Sequence, residues 1–328
     1  MSAPRVAVVV PVYNAGCYLT PCLDAIAAQT LSDYVCVLVD DGSTDGSGAV
    51  CDARSAADPR FVTLHQKNAG VSATRSAGVR YALAQGVAWL AFCDGDDLYH
   101  PAFLQTLLAA AESTRLPVAC CRYDAFANTP AAERPAGNVR SLRHPAHLKA
   151  LLHDHGVDFS LCNKLFAASL LTPELLDNGF SYNEDLVTNW QVFCAVDGLA
   201  FCDWVGYHYR QNAGSASHRA LAPQSIDEQR RAALFVRHSA PPDLQTDADA
   251  FYYEKLVYLA SMILRRNNAA DYRVQLHELY AGIRAGLWDR RLGRSPALPG
   301  FIRISAIATA LCPRLWRQVC RSLLKDRR

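Results

Sequence analysis

Four apolar segments, each followed by polar turn residues and a helical pattern, constrain the fold of this chain more than any other feature. The apolar segments are residues 6–12, 34–39, 61–64 and 89–94. The helical patterns that follow the first three are residues 16–29, 47–56 and 71–84. Such segments are typical of strands buried on both faces, and their alternation with helices predicts a mostly parallel sheet covered by helices on both faces. We therefore expect an α/β fold.

The rest of the chain first continues this pattern and then changes character. A helix over residues 101–115 and a fifth strand over residues 118–123 extend the α/β part. Towards the end the pattern is helical, at residues 224–236, 248–265 and 272–287. We place a boundary near residue 220, which separates an α/β domain, residues 1–220, from a helical C-terminal region, residues 221–328.

Three carboxylates follow the fourth predicted strand, at Asp94, Asp96 and Asp97. A parallel strand would bring them to the carboxyl edge of its sheet, where ligands bind in α/β folds. Packing three carboxylates together is repulsive unless a cation lies among them, and a hard divalent ion that keeps its waters and shares phosphate oxygens suits such a site. The pattern predicts a site for a metal-bound diphosphate, and the alternative is a solvated acidic turn.

Composition and cysteine usage indicate a globular protein of the cytoplasm. The chain is 51% hydrophobic and 20% charged, and its 12 cysteines are scattered without paired CxxC motifs. A zinc cage or disulfide scaffold is therefore not expected, and a reducing cytosol is. The amino terminus lacks a signal-peptide core and no apolar run approaches 18 residues, so we expect neither secretion by that route nor a membrane span.

The net charge of +2 conceals an asymmetry along the chain. Residues 290–328 contain ten basic side chains and one acidic side chain, Asp326, which leaves a net charge of −7 in the remainder. After Pro313, one helical face collects Arg314, Arg317, Arg321 and Lys325, and the other collects Leu315, Trp316, Val319 and Leu323. This pattern predicts a helix that lies on an anionic membrane surface, at the inner face of the plasma membrane, and the alternative is a solvated charged helix. Nucleic acid is not an expected partner, because no nucleic-acid-binding motif accompanies the charge.

Six motifs together carry a family resemblance. They are Val10-Pro11-Val12-Tyr13-Asn14, Val39-Asp40-Asp41-Gly42-Ser43-Thr44-Asp45, Asn68-Ala69-Gly70 with Arg75, Asp94-Gly95-Asp96-Asp97, Asn163-Lys164-Leu165-Phe166 and Glu184-Asp185. In this order and at these spacings, the chain resembles the family 2 inverting glycosyltransferases of GT-A fold. The resemblance covers residues 5–218 and implies a Rossmann-like GT-A catalytic domain over residues 1–220, but it does not extend over the last hundred residues.

The resemblance implies a uridine-binding slot after the first two strands. Pro11, Tyr13 and Asn14 would contribute to this slot together with Asp40 and Asp41. A carboxylate such as Asp41 can accept the uracil imide proton, which suits this role. The alternative is that both aspartates simply cap the next helix.

Two cationic side chains are candidates for contact with the donor diphosphate. Arg75 lies near a helix amino terminus, whose dipole favours anions, and would add a fixed positive charge there. The alternative is that Arg75 is simply an exposed arginine on the helix. Lys164 either reaches the diphosphate or only stabilises the fold, and the sequence does not separate these two roles.

Asp94 and Asp96 form an Asp-x-Asp pair, and the resemblance implies that this pair binds Mn²⁺ or Mg²⁺. By resemblance, Asp96 holds the ion, Asp94 lies nearer the ribose or a metal-bound water, and Gly95 between them belongs to the nucleotide-sugar site. Such an ion stabilises the charge that grows on the departing nucleoside diphosphate. His218 is a candidate for an additional metal ligand.

Inversion at the sugar carbon needs one displacement, so one carboxylate must accept the proton of the acceptor hydroxyl. The resemblance assigns this role to Asp185, with Glu184 orienting or contacting the acceptor. The alternative is that both acids only complement the dipole of the helix they begin.

These features predict a bacterial enzyme that transfers a hexose or N-acetylhexosamine from a UDP-sugar to a glycan acceptor. A lipid-linked acceptor in lipopolysaccharide, lipooligosaccharide or capsule synthesis is expected, because the basic tail would locate the enzyme at such acceptors. Two other classes stay open: a nucleotide-sugar-binding protein without turnover, and a phosphatase with an aspartyl nucleophile. A phosphatase usually has Thr or Val where this chain has Leu98, and it leaves Asp40 and Asp41 unexplained. A dinucleotide-binding protein would need a G-x-G-x-x-G motif after the first strand, where this chain has Pro11-Val12-Tyr13-Asn14.

Overall fold

The computed structural model describes residues 3–130, 138–153, 156–211, 222–289, 292 and 295–323. By its internal contacts the chain divides into two compact units. The first unit comprises Met1–Gly179 and Glu184–Arg219, and the second comprises Phe180–Asn183 and Ala220–Arg328. The tetrapeptide Phe180–Asn183 thus groups with a part of the chain that is distant in sequence.

The first unit is built on one sheet. Its strands are β1 (Val6–Val12), β2 (Tyr34–Asp40), β3 (Phe61–His65), β4 (Trp89–Phe92), β5 (Leu98–Tyr99), β6 (Val118–Phe126), β7 (Val139–Arg143), β8 (Lys164–Ala167) and β9 (Gly198–Arg210). Its helices are α1 (Leu19–Ala27), α2 (Ser47–Ala57), α3 (Val71–Ala84), α4 (Phe103–Thr114), α5 (Ala146–Leu152), α6 (Pro173–Leu176) and α7 (Glu184–Cys194).

The sheet is mixed, with a parallel core. Its strand order is β3-β2-β1-β4-β8-β6-β9-β5, and β7 also pairs with β9. The pairs within β3-β2-β1-β4 and the pair β6-β9 are parallel, whereas β8, β5 and β7 pair antiparallel with their neighbours. The predicted α/β architecture is confirmed. The short strands β5, β7 and β8 were not predicted, because segments of two to five residues carry little periodicity.

The register of the parallel strands brings three polar loops together. Val12 of β1 pairs with Asp40 of β2, and Val9 of β1 pairs with Phe92 of β4. Since the carboxyl ends of neighbouring parallel strands meet at one edge of the sheet, the loops that follow β1, β2 and β4 are neighbours there.

Helix α3 packs closely on this sheet through Gly78. A Cβ placed on Gly78 would overlap Val9 Cγ1 and would lie 3.2 Å from Val39 Cγ2. Only a glycine lets the helix backbone approach β1 and β2 so closely. The same approach fixes the position of Arg75, one helical turn earlier.

The second unit is helical. It contains α8 (Pro223–His238), α9 (Gln245–Leu264), α10 (Arg273–Leu287), α11 (Gly300–Leu311) and α12 (Pro313–Leu323). Apolar side chains of α8 to α11 form its core, among them Ile226, Leu256, Leu279 and Ile302. Within the described ranges, no helix is both long enough and apolar enough to cross a bilayer.

Candidate active site

The guanidinium of Arg75 lies at the centre of the site. Its side chain is only 5% exposed, so Arg75 is not an exposed helix arginine. Nη1 donates to Asp185 Oδ1 at 2.6 Å and Nη2 donates to Asp94 Oδ1 at 2.9 Å, while Glu184 Oε1 lies 3.6 Å from Nη1. Burial acts to lower the pKa of Arg75, but Asp185 and Asp94 outweigh it and hold the pKa above its usual value. One buried cation thus joins the carboxylates of two separate motifs.

Asp185 and Glu184 begin α7, and both are partly buried. Besides its contact with Arg75, Asp185 accepts a hydrogen bond from the Leu161 amide through Oδ2 at 3.3 Å. Burial raises the pKa of Asp185, although Arg75 opposes the shift. Burial and the neighbouring Asp185 raise the pKa of Glu184 to about 7. A carboxylate with a raised pKa is a better proton acceptor near neutral pH than an ordinary aspartate.

The three carboxylates after β4 do not act as one cluster. The side chain of Asp94 is 38% exposed and faces Arg75, and Asp96 is half-buried. Asp97 points inward: Tyr207 donates to its Oδ2 at 2.5 Å and the Arg210 amide donates to its Oδ1 at 2.7 Å. Burial and the nearby Asp94 raise the pKa of Asp97 to about 8. The repulsion expected among the three carboxylates is therefore relieved partly by turning Asp97 into the fold.

Asp41, directly after β2, accepts hydrogen bonds from the loop that follows β3. Its Oδ1 accepts from Gln66 Nε2 at 2.7 Å and from the Ala69 amide at 2.8 Å, and its Oδ2 accepts from the Gly70 amide at 2.9 Å. Gly70 directly precedes α3. Asp41 therefore holds the start of the helix that carries Arg75. Its contact with a uracil ring stays a prediction.

Asp40 and the residues after β1 are also held by hydrogen bonds within the chain. Asp40 accepts from the Ser43 amide at 3.0 Å and contacts His65 Nδ1 at 3.0 Å. These bonds lower the pKa of Asp40 despite its burial. Asn14 accepts from the Thr44 amide at 2.8 Å, so the loops after β1 and β2 form one connected surface.

Other predicted donor contacts lie on the same edge of the sheet. A Cβ placed on Gly95 would lie 3.4 Å from the carbonyl oxygen of Pro11 and 3.6 Å from Ala15 Cβ. The Asp-x-Asp turn therefore packs against the loop after β1. Tyr13, in that loop, is half exposed. The structure brings Pro11 and Gly95 together, and their contacts with a nucleotide stay predictions.

Lys164 lies beneath the loop that precedes β8 rather than on an open surface. It is completely buried, and Nζ donates to the carbonyl oxygens of Asp158 and Ser160, at 2.9 and 2.5 Å, and to Asn163 Oδ1 at 2.9 Å. These three acceptors satisfy the three N–H groups of the ammonium. The arrangement favours the fold-stabilising alternative for Lys164 over contact with a diphosphate.

A cavity of about 430 Å³ opens between the Asp-x-Asp turn and the start of α7. Its described lining residues are Asp94, Asp97, Tyr123, Asp158, Phe159, Ser160, Asp185, Tyr207 and Tyr209. Asp185 lines this cavity, and Glu184 is not among the described residues that do. The volume is within the range of a small-ligand site.

The aromatic wall of this cavity was largely missed by sequence reasoning. Tyr123 of β6 pairs with Tyr207 of β9, and Tyr209 follows two residues later, on the same side of its strand. Arg210, which ends β9, also donates through Nε to the carbonyl oxygen of Asp96 at 2.8 Å. The alternation of tyrosines in β9 was a usable signal, but the parallel pairing of β6 with β9 was not foreseeable.

The donor set at the Asp-x-Asp turn suits a hard divalent ion. Within the described part of the chain, no group of three or more His, Cys, Asp or Glu side chains forms a complete metal site. Mg²⁺ and similar ions commonly bind through one or two carboxylates and take their other ligands from water and substrate phosphates. Asp96 and Asp94 can supply such carboxylates. His218 lies outside the described residues.

The structure resembles solved GT-A glycosyltransferases. S. aureus TarS 1–349 in complex with UDP-GlcNAc matches with a TM-score of 0.67 at 16% identity, over 99% of this chain and 93% of that chain. The mannosyltransferase PcManGT from Pyrobaculum calidifontis, in complex with GDP-Man and Mn²⁺, matches with a TM-score of 0.53 at 16% identity, over 95% and 88% of the two chains. The predicted GT-A fold is confirmed.

The family model "Glycosyl transferase family 2" matches residues 7–172, about half of the chain. The chain belongs to this family. Among curated proteins, the uncharacterized glycosyltransferase EpsJ of Bacillus subtilis strain 168 is 29% identical over 232 residues, which cover 69% of this chain and 66% of EpsJ. The chain spans less than two thirds of the length of the curated relatives it matches.

Proposed function

We propose that this protein is an inverting glycosyltransferase that transfers a hexose or N-acetylhexosamine from a UDP-sugar to a hydroxyl of a glycan acceptor. One observation carries the proposal: Arg75 joins Asp94 and Asp185, and both carboxylates line one cavity. A donor diphosphate at the Asp-x-Asp turn and an acceptor hydroxyl at Asp185 would then face each other across that cavity. In this proposal residues 1–220 are the catalytic domain and residues 221–328 are a helical C-terminal region.

Asp185 is the proposed general base. It would accept the acceptor hydroxyl proton as the sugar carbon is attacked from the face opposite the nucleotide. The raised pKa of Asp185 supports this role. The hydrogen bonds from Arg75 and Leu161 fix the carboxylate orientation, which supports in-line attack. Glu184, beside Asp185 at the start of α7, is proposed to orient or contact the acceptor.

Mn²⁺ or Mg²⁺ is the proposed cofactor, held through Asp96 with Asp94 beside it. When bound, such an ion supplies positive charge to the leaving diphosphate. The Mn²⁺ in the PcManGT structure supports a divalent ion, and the UDP-GlcNAc in the TarS structure supports a UDP-sugar donor. Asp40, Asp41, Pro11, Tyr13 and Asn14 are the proposed contacts of the uridine.

The aromatic wall of the cavity is a proposed acceptor surface. Tyr123 is 47% exposed, and Phe159 and Tyr209 line the same cavity. Aromatic faces pack well against the apolar faces of sugar rings, so this wall suits a glycan. A lipid-linked glycan of lipopolysaccharide, lipooligosaccharide or capsule synthesis is the proposed acceptor class, with the protein associated peripherally with the inner face of the plasma membrane.

The test is turnover with a donor panel. Purified protein with Mn²⁺ is incubated with UDP-glucose, UDP-galactose, UDP-GlcNAc, UDP-GalNAc and GDP-mannose, with and without glycan acceptors, and nucleotide release is measured. We expect release from one UDP-sugar, stimulated by acceptor, and a product anomer opposite to that of the donor by NMR. Binding of a UDP-sugar without release under any condition would instead identify a nucleotide-sugar-binding protein without turnover. A product that retains the donor anomer would contradict the single displacement.

A further inference from the structure

Helix α11 buries its more polar face and exposes its more apolar face. Its buried residues are Ile302, Ser305, Ala306 and Thr309. Its exposed large side chains are Phe301, Ile304, Ile307 and Leu311, which are between 49% and 70% exposed. Steps of three or four residues put these four side chains on one side of the helix. We call them the α11 ridge. An amphipathic helix packed on a core normally has the opposite orientation.

The middle of the apolar face of α12 packs inside the helical unit. Trp316 and Cys320 are buried with Leu264, and Val319 packs against the same cluster. Trp316 Nε1 also lies 3.4 Å from Ser261 Oγ. Of the apolar side chains of α12 that were expected at the membrane, Trp316 and Val319 are therefore packed on protein, whereas Leu315 is 61% exposed. Lys325, also part of that pattern, lies outside the described residues.

The basic character of the segment that contains the ridge indicates its partner. Residues 290–328 contain ten basic side chains and one acid. Arg314, at the start of α12 and three residues after Leu311, is exposed, and so is Arg321. An apolar helix face accompanied by basic side chains matches the interface of an anionic bilayer.

A second copy of this chain fits the ridge less well. A two-fold contact through the ridge would bring two copies of the basic segment together, which is repulsive. A row of four side chains is also far below the roughly 20 to 30 residues per partner that a stable protein interface uses. A bilayer needs no complementary groove.

We infer that the α11 ridge, and not Trp316 and Val319 of α12, inserts into the surface of an anionic membrane, while Arg314 and Arg321 attract the lipid head groups. This inference rests on the membrane association proposed above and does not depend on sugar transfer. The side chains of the ridge would lie at the level of the head groups and the first acyl carbons, with the helix axis parallel to the membrane plane.

The experiment is flotation of the full chain with two kinds of vesicle, phosphatidylcholine alone and phosphatidylcholine mixed with phosphatidylglycerol. The ridge variant is the double substitution Ile304→Glu and Leu311→Glu. The control is Val274→Glu, which places one glutamate, half the charge added in the ridge variant, at a 67% exposed apolar position on α10, outside the ridge. Thermal unfolding checks that both variants are folded, and nucleotide release with a soluble acceptor is measured in parallel.

We expect the parent to float with the anionic vesicles and the ridge variant to lose at least about tenfold in partitioning, because two apolar side chains no longer enter the interface. Val274→Glu should stay within about twofold of the parent. A parent that does not float overturns the membrane association itself, and a ridge variant that floats like the parent overturns only the assignment to α11. If the parent is a dimer in solution and the ridge variant is a monomer, the partner of the ridge is a second copy of the chain. That result would also overturn the assignment of the α11 ridge to the membrane. Transfer to the soluble acceptor should be equal in all three proteins.

Discussion

Arg75 donates to Asp185 Oδ1 at 2.6 Å, so the residue that we propose as general base is held by a buried cation from a different helix. The other end of the same guanidinium donates to Asp94. A planar fork can make both bonds at once, whereas an ammonium group provides a single point of charge. The position therefore demands arginine for its geometry as well as for its charge.

Arg75→Lys should keep a positive charge and lose the bridge. We expect the free energy of unfolding to fall by about 1.5–3 kcal/mol, the usual value of a hydrogen bond to a charged group. We also expect the rate of transfer to fall at least about tenfold, because Asp185 loses its fixed orientation. Chemical denaturation and steady-state kinetics measure the two effects. Arg80→Lys, an exposed position on the same helix, is the control. If Arg75→Lys and Arg80→Lys lose stability and transfer rate equally, the losses are not specific to the bridge that Arg75 forms.

Asp185→Asn tests the base directly, because it keeps the size of the side chain and removes its basicity. A general base contributes typically 10² to 10⁴ in rate, or about 3–5 kcal/mol of barrier, and little to donor binding. We expect UDP to bind as in the parent and transfer at saturating substrates to fall at least about a hundredfold. Glu184→Gln should lose less, or act on the KM of the acceptor. If Glu184→Gln is inactive and Asp185→Asn is active, the two roles are reversed.

Asp96→Ala tests the proposed metal site. In the parent, UDP should bind more tightly with Mn²⁺ than with EDTA, and in Asp96→Ala this difference should disappear together with turnover. Isothermal titration calorimetry with UDP in both buffers gives the comparison. Asp33→Ala, at an exposed position on the loop before β2, should retain the difference. If the parent binds UDP equally in both buffers, Asp96 has no metal role in donor binding.

Gly78→Ala should disturb the packing of α3 on the sheet. The new Cβ overlaps Val9 Cγ1, and overpacking of this kind costs about 1–3 kcal/mol. Because α3 carries Arg75, we expect transfer to slow as well. Combining Gly78→Ala with Val9→Ala removes the overlapping methyl group, so the double variant should be more stable than the sum of the two single losses predicts. The free energies of unfolding are measured in urea. If the loss in the double variant equals the sum of the two single losses, the packing of α3 does not depend on the contact between Gly78 and Val9.

His147 should make the stability of the protein fall with acid. It is fully buried on α5, its Nε2 lies 2.9 Å from the Phe193 carbonyl oxygen, and burial lowers its pKa below the ordinary 6.5. The unfolded chain therefore binds the proton more readily, and this residue's contribution to stability is present above pH 6.5 and declines as the pH falls towards the lower folded pKa. The slope from one such group is at most about 1.4 kcal/mol per pH unit. The Tm of His147→Gln should fall less than that of the parent between about pH 7.5 and pH 5.5. Parallel Tm curves would exclude this contribution.

The parallel half of the fold was predictable because each strand from β1 to β4 is a continuous apolar run followed by a helix. Helix α3 has the predicted bounds, Val71–Ala84. The antiparallel strands β5, β7 and β8 are short, and their pairing depends on contacts between parts of the chain that are far apart in sequence. Sequence alone gives no signal for such contacts.

The residues of the site were largely predictable from the sequence, but their hydrogen-bond and ion-pair partners were less so. Asp94, Glu184 and Asp185 were expected near a ligand, and they do converge on one cation. Arg75 was expected to contact the donor diphosphate, but its ion pairs with Asp94 and Asp185 depend on the packing of α3, which no motif states. The inward turn of Asp97 depends on Tyr207, which is 110 residues away along the chain. The buried position of Lys164 likewise required the folded loop before β8.

The three hydrogen bonds that Asp41 accepts from residues 66–70 affect how mutagenesis of the nucleotide site should be interpreted. Substitution of Asp41 would release the loop that begins α3 at the same time as it removes any contact with uracil. Weak UDP binding in such a variant would therefore not distinguish a lost ligand contact from a misplaced helix. The informative measurement is whether a donor analogue with an altered base recovers activity, because only a direct contact with the base can be rescued by changing the base.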